Sequence, residues 1–248
     1  MSRRVRRFSC GAASAVATML DLKAHPGGVV TRCRLGGEHE DNERMHDDCE
    51  AWFGQEIIVR QNEKYTDHMH VWEKERFIKQ HGVGASCTGR LKREPWYDFD
   101  LPDDILVIGY TAEEQGRADS LRKQNFEKTI VTPLIDAGLT KADCLAIVQR
   151  AGIRLPAMYL LDYHNNNCLG CCKGGMGYWN KIRVDFPPVF DRAARIQREL
   201  GTNARFWIEK DGTPIMLDEL APTRGHYPSE PDIDCSIMCH IAEQDIAS

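Results

Sequence analysis

The sequence predicts an α/β fold, a Rossmann-like parallel sheet with helices on both faces, followed by a small cysteine-rich C-terminal subdomain. Three observations predict it. Short apolar runs alternate with helical patterns through the first half, the signature of parallel strands joined by helical crossovers. The chain opens on a strand pattern that runs through a loop of small residues into an Ala-rich helix. Its 248 residues are enough for one such domain with an appendage.

In chain order, Val5 to Phe8 reads as the first strand and Ser9-Cys10-Gly11-Ala12-Ala13-Ser14 as a tight loop before a helix over Ala15 to Leu22. Val29 to Leu35 is a second strand. Asn42 to Phe53 is an amphipathic helix, because Met45, Cys49, Trp52 and Phe53 fall on one face. Glu56 to Arg60 supplies a third strand and Ile105 to Tyr110 a fourth, with a helix-rich aromatic segment containing Trp72 and Phe77 between them. Lys141 to Ala151 is a helix, Asn165 to Gly177 a Cys/Gly-rich loop, and Val189 to Leu200 a helix entered through Pro187-Pro188. Phe206 to Ile208 and Pro214 to Leu217 form a hairpin about Asp211-Gly212. The tail from Ala221 to Asp234 is expected to be irregular. The expected division is a core over 1–140 and a subdomain over 141–248.

The longest apolar runs, such as Ile105 to Ile108 and Ala157 to Leu161, fall far short of the ~18 residues of a membrane span, so no membrane partner is expected. The basic N-terminus, Met1 to Phe8, lacks the apolar run of a secretory signal, and a cytoplasmic location is the expectation. Ten cysteines in 248 residues lie below the roughly 8–10% that marks a disulfide scaffold. In a reducing compartment clustered cysteines more often bind metal or do chemistry. The net charge of −5 argues against a basic surface overall. Basic residues nevertheless cluster at Arg3 to Arg7, Arg90 to Arg93 and Arg117 to Lys128, which suits either a phosphate-rich ligand or nucleic acid on one face, or simply solvated surface.

A strand, a small-residue loop and a helix in that order can build an anion site, because the helix N-terminus presents unpaired N–H groups and small residues let phosphate approach the backbone. Ser9 to Ser14 has that order, and the alternative is a tight strand-to-helix turn. The loop contains neither Gly-x-Gly-x-x-Gly nor a Lys-Ser/Thr ending, so it is neither a dinucleotide fingerprint nor a Walker loop. Two further groupings concern cysteine. Cys168-x-x-Cys171-Cys172 precedes Lys173-Gly174-Gly175-Met176-Gly177, and Cys235-x-x-x-Cys239 lies further on. Two close pairs suit a four-thiolate Zn²⁺ or [4Fe–4S] site, whereas the alternative is a set of reduced buried thiols. Cys33, Cys49 and Cys144 lie within strand or helix patterns and read as core. His39, His46, His68 and His70 read as surface or hydrogen-bonded histidines, with His68-Met69-His70 alternating like an exposed strand edge or loop.

These segments together resemble the PP-loop superfamily of adenine nucleotide α-hydrolase-like enzymes (PP-loop/HUP type), particularly phosphoadenylyl-sulfate (PAPS) reductase-like proteins. Ser9-Cys10-Gly11-Ala12-Ala13-Ser14 resembles the family's Ser-Gly-Gly-x-Asp-Ser loop, with Cys10 in place of a glycine and Ala13 in place of the aspartate. Gly36-Gly37-Glu38-His39-Glu40-Asp41 matches the segment after strand 2. Ser86 to Pro95, with Cys87, Arg90 and Lys92, resembles the Cys-Cys-x-x-x-Lys-x-x-Pro segment. Gly109 to Arg117 resembles the Gly-x-Arg-x-x-Glu-x-x-x-Arg segment. Pro133-Leu134-Ile135 followed by Asn167 to Cys171 resembles the Pro-Leu and Cys-x-x-Cys region. The resemblance covers roughly residues 5–185.

What the resemblance implies is an enzyme binding an adenine nucleotide (PAPS, APS or ATP, with Mg²⁺ where ATP is used) through Ser9, Cys10, Gly11, Ala12, Ala13, Ser14, Gly36 and Gly109. Arg90, Lys92, Arg117 and Arg122 would hold phosphate or sulfate. The loss of the loop aspartate at Ala13 puts ATP α,β-cleavage in doubt. In the iron–sulfur branch the Cys-Cys segment and the Cys-x-x-Cys pair ligate a [4Fe–4S] cluster. Here that set implies Cys87, Cys168 and Cys171, with Cys172, Cys235 or Cys239 as the fourth ligand or one iron left open. Asp234-Cys235-Ser236-Ile237-Met238-Cys239-His240 loosely resembles the reductases' C-terminal nucleophile segment. Cys235 is then either the nucleophile that attacks the sulfate sulfur or, with Cys239, a ligand, and the second cysteine at a chelating interval favours ligation. Cys87 is the other cysteine with an implied catalytic part. The implied partners are a thioredoxin-like electron donor or a nucleic-acid sulfur acceptor, with a homodimer as the expected assembly. The competing functions are a catalytically degenerate nucleotide sensor and a zinc-stabilised nucleic-acid-binding protein.

Overall fold

A computed structural model describes residues 2–80 and 84–233. Two compact units share the chain discontinuously: one takes residues 2–34, 39–61 and 95–166, the other 35–38, 62–94 and 167–233. The single boundary expected at residue 140 is therefore corrected. Residues 141–166 stay with the sheet unit because the helix over Lys141–Arg150 buries Cys144 and Val148 in the same core as the first strand and helix.

In the first unit, strands β1 (Arg4–Phe8), β2 (Val29–Cys33), β3 (Ile57–Arg60), β6 (Ile105–Val107) and β7 (Thr129–Val131) form one parallel sheet in the order β3-β2-β1-β6-β7. Helices α1 (Ala12–Ala24), α2 (Asp41–Phe53), α4 (Gln115–Gln124), α5 (Pro133–Asp136), α6 (Lys141–Arg150) and α7 (Ala157–Leu160) complete the unit. The α/β expectation holds, as a five-stranded parallel sheet flanked by helices. β7 is an addition to the reading, since three residues are too few for a periodicity to show.

Alternation along β1 divides its side chains between the two sheet faces. Phe8 faces α1 and α2, meeting Phe53 edge-on at 5.6 Å within a core that also holds Val16, Val30, Met45 and Ile57. Arg4 and Arg6 share that face and end on Asp21 of α1, with Arg6 Nε 2.7 Å from the carboxylate and its other nitrogens on the carbonyls of His25 and Gly27. On the other face Arg7 lies over the Trp96 ring at 4.3 Å and pairs with Asp100, while Arg3 pairs with Asp104 at 2.7 Å. The basic run Arg3 to Arg7 is thus internal ion pairing and not a surface patch, as period-2 alternation turned two of its arginines under one helix. Cys49 and Cys144 are fully buried as expected, and Cys33 is partly exposed at the end of β2.

The second unit contains α3 (His68–Glu75), a short hairpin of β4 (Lys79–Gln80) and β5 (Gly84–Ala85), a π-helical turn over Thr88–Arg93, α8 (Met176–Asp185), α9 (Pro187–Leu200) and a hairpin of β8 (Trp207–Ile208) and β9 (Pro214–Ile215). Trp179 stacks on Phe206 at 5.1 Å and Trp72 meets the same ring at 6.0 Å, building an aromatic core. His68-Met69-His70 is no strand edge. Asp67 accepts from the His70 N–H at 2.7 Å and starts a helix there, burying His68 and Met69. Among the described residues no helix is long and apolar enough to cross a membrane.

Candidate functional site

Each unit presents one candidate site, and each is built from its own residues. In the sheet unit the strand order reverses between β1 and β6, and crevices at such switch points, beyond the carboxyl ends of the strands, are where open α/β sheets take ligands. The loop after β1 fills that position. Cys10 sits at φ +56°, fully buried, with its carbonyl held by Asn166 Nδ2 at 2.8 Å and its sulfur 3.4 Å from the Asn42 carbonyl. The Ser9 N–H donates to Ser14 Oγ at 3.1 Å, and that hydroxyl donates to the Gly11 carbonyl at 2.9 Å, which folds the loop on itself. α1 then begins at Ala12 behind Gly11 as its N-cap, with no side-chain cap and no acid in its own first turn.

The loop after β6 lies directly against this turn. A Cβ on Gly109 would stand 2.7 Å from Ser14 Cα and 2.9 Å from its backbone nitrogen. Gly109→Ala is therefore expected to push the two loops apart and to cost about 1–3 kcal/mol, read by urea denaturation. Ser9 to Ser14 and Gly109 are thus brought together. Arg117 pairs with Glu114 and lies over the Tyr110 ring, while Arg122 reaches Thr132 Oγ1 at 2.6 Å. Gly36 belongs to the other unit. Its φ of +71° and the 1.7 Å between a notional Cβ and the Thr66 carbonyl show that it serves a close chain approach.

In the second unit Cys87, Cys168, Cys171 and Cys172 line one small cavity together with Leu35, His68, Thr88, Leu91 and Lys92. Cys87 comes from the turn after β5 and the other three from the loop before α8. That loop is fixed by Tyr178, whose hydroxyl accepts from the Gly170 and Cys171 N–H groups at 3.0 and 3.1 Å and donates to the Cys168 carbonyl at 3.1 Å. The Leu169 N–H bonds the Gly37 carbonyl at 2.8 Å, and Lys79 Nζ holds the Cys172 carbonyl at 2.7 Å. His68 Nε2 lies 3.2 Å from the Gly170 carbonyl, which can only accept, so that nitrogen carries the proton. Burial holds this imidazole neutral, its pKa pushed down to about 4.

The thiols share protons unequally. Cys172 donates toward both Cys171 and Cys87, and burial adds to the effect, so its own pKa is well above the ordinary value. The hydrogen bond from Cys172, then the Lys173 N–H and the charges of Lys173 and Lys92, bring Cys171 down to about 6 against its burial. Cys87 is lowered by Cys172 first, with help from the Trp72 indole N–H and Lys92. Alkylation of Cys171 in metal-free protein should therefore rise about tenfold per pH unit below about 6 and level off above it. Cys49 and Cys144, pushed up to about 12 by burial, should stay unmodified across that range, as mapped by peptide mass spectrometry.

The cavity gathers Cys87, Cys168, Cys171, Cys172 and Lys92 as the resemblance implies, and Arg90 instead pairs with Glu75 at 2.9 Å and with Glu94. Cys235 and Cys239 lie outside the described residues; the Ile233 carbonyl accepts from Asn167 Nδ2 at 3.3 Å. Among the described residues no group of three or more His, Cys, Asp or Glu side chains is arranged to hold a metal ion. His68, expected as a surface or hydrogen-bonded histidine, is buried at the cavity wall, and Thr88 was assigned no role from the sequence. Asp67, a helix-capping residue just before Met69 and Trp72 at helical spacing, was the available signal for His68.

No protein-family model matches the chain. The chain is similar to an uncharacterized protein of Methanocaldococcus jannaschii, with 24% identity over 218 residues, covering 82% of this chain and 44% of that protein, so it spans less than half the length of the relative it matches.

Proposed function

We propose that the chain is a PAPS reductase-like enzyme of sulfur chemistry, binding an adenine nucleotide (PAPS, APS or ATP) at the Ser9 to Ser14 loop and holding a [4Fe–4S]-type centre on Cys87, Cys168, Cys171 and Cys172. The observation that carries this reading is the thiol cavity: four cysteines from two distant segments border one space, and two of them are shifted toward the thiolate a metal requires. Lysine charge beside the thiols suits an anionic centre. When bound, such a centre supplies electrostatic or redox chemistry for sulfur. Without the centre Cys172 holds a proton between its neighbours and gives it up on ligation, while Tyr178 fixes the loop and Lys92 supplies positive charge. The switch-point loop, with its uncapped helix end, supports the nucleotide half of the proposal. The eight described cysteines are unbridged, which fits a cytoplasmic compartment.

Anaerobic purification with iron and acid-labile sulfide analysis tests the centre. Iron and sulfide near four each per chain are expected, with loss in Cys87→Ser and Cys171→Ser. Zinc without sulfide would replace the cluster by the zinc alternative, and neither metal would sink the site. Sulfite release from PAPS or APS identifies a reductase, with a thioredoxin-like dithiol as donor. Pyrophosphate or AMP from ATP with a nucleic-acid acceptor identifies a sulfurtransferase. Loss of activity in Cys235→Ser with iron retained would assign that residue as nucleophile, and loss of iron would assign it as ligand.

A further inference from the structure

Thr88 is buried at 3% exposure, lines the thiol cavity, and its hydroxyl has no hydrogen-bond partner among the described residues. Threonine in a helical turn ordinarily returns its hydroxyl to a carbonyl one turn back, and a buried hydroxyl left unpaired costs about 1–3 kcal/mol. His68 Nδ1 is the other unpartnered atom of a cavity-lining residue, but with the proton on Nε2 it is an acceptor, and it lies against Gly37. Thr88 is therefore the donor beside the cavity whose acceptor none of the described residues supplies.

We propose that Thr88 donates its O–H to a sulfur of the centre held in this cavity and so raises that centre's reduction potential. The inference rests on the iron–sulfur reading above. One added electron increases negative charge on the sulfurs, and a hydrogen bond to them is then stronger in the reduced state than in the oxidised one.

The test is a dithionite titration of anaerobically purified wild-type protein and of Thr88→Val, Thr88→Ala and Thr88→Ser, each with iron and sulfide content measured. Val and Ala both delete the donor and differ in size, so one covers for poor folding of the other. The expected result is unchanged iron and sulfide with the equilibrium shifted about tenfold toward the oxidised form in Val and Ala, ~59 mV more negative for one electron. Ser should keep the wild-type midpoint. Loss of iron and sulfide from Val and Ala but not Ser supports the same contact. A wild-type midpoint in loaded Val and Ala, or loss of the centre from all three, overturns the role of Thr88. Wild-type protein without iron and sulfide overturns the cluster reading itself, and this inference with it.

Discussion

Asp21→Asn is expected to lower the unfolding free energy by about 3–5 kcal/mol, the largest single effect in the sheet unit. Asp21 receives Arg6 Nε at 2.7 Å and Arg4 Nε at 3.1 Å, and the Arg6 side chain is fully buried beneath α1. Burial already pulls the Arg6 pKa below its ordinary value, and the carboxylate is what offsets that cost. Asparagine keeps the shape and removes the charge, leaving a guanidinium enclosed by the His25 and Gly27 carbonyls alone. Since small domains are stable by only ~5–15 kcal/mol, a loss of this size shows directly in a urea midpoint. Asp103→Asn, an equal charge change at an exposed position, should stay within about 0.5 kcal/mol. A small effect at Asp21 would mean that water reaches Arg6, against the observed burial.

Tyr178→Phe is the second large effect, expected at about 3 kcal/mol with the thiol loop loosened. The hydroxyl serves two N–H donors and one carbonyl in the loop, and phenylalanine fills the same volume while deserting all three. Each buried group left unpaired costs roughly 1–3 kcal/mol, part of which the loop recovers by moving. Native-state hydrogen exchange should then speed up at the Gly170 and Cys171 amides while the amides of β1 stay protected. Unchanged protection at Gly170 would show that another acceptor replaces the hydroxyl. Loss of iron and sulfide with the tyrosine change would connect loop order to the proposed centre.

In the sheet unit β1, β2, β3, β6, α1, α2 and α6 were legible as short strand runs and helical patterns, α2 through Met45 and Cys49 one turn apart, whereas α4, α5 and α7 were not read. β7 and α8 were also missed, since β7 is only three residues long and Gly174-Gly175-Met176-Gly177 reads as loop. Those glycines do a packing job instead: a Cβ on Gly174 would stand 2.0 Å from the Tyr178 ring, and one on Gly177 2.4 Å from the Tyr227 nitrogen. The candidate sites divide the same way. Cys168, Cys171, Cys172 and the Ser9 to Ser14 loop could be named from residue type and spacing and Cys87 through the family resemblance, whereas His68, Thr88 and Tyr178 look ordinary in sequence.

By itself, the sequence determined the α/β class, the strand-loop-helix opening and the identity of the clustered thiols, because each of these is local: a period, a small-residue turn, a spacing of three. Only the tertiary structure decided that Arg6 lies inside, that residues 141–166 belong to the sheet unit, and that Cys87 shares a cavity with Cys168, Cys171 and Cys172. The physical reason is that burial, pairing and proton sharing depend on which distant segment arrives. A guanidinium or thiol takes its charge state from those neighbours, and the order of residues along one segment does not contain them.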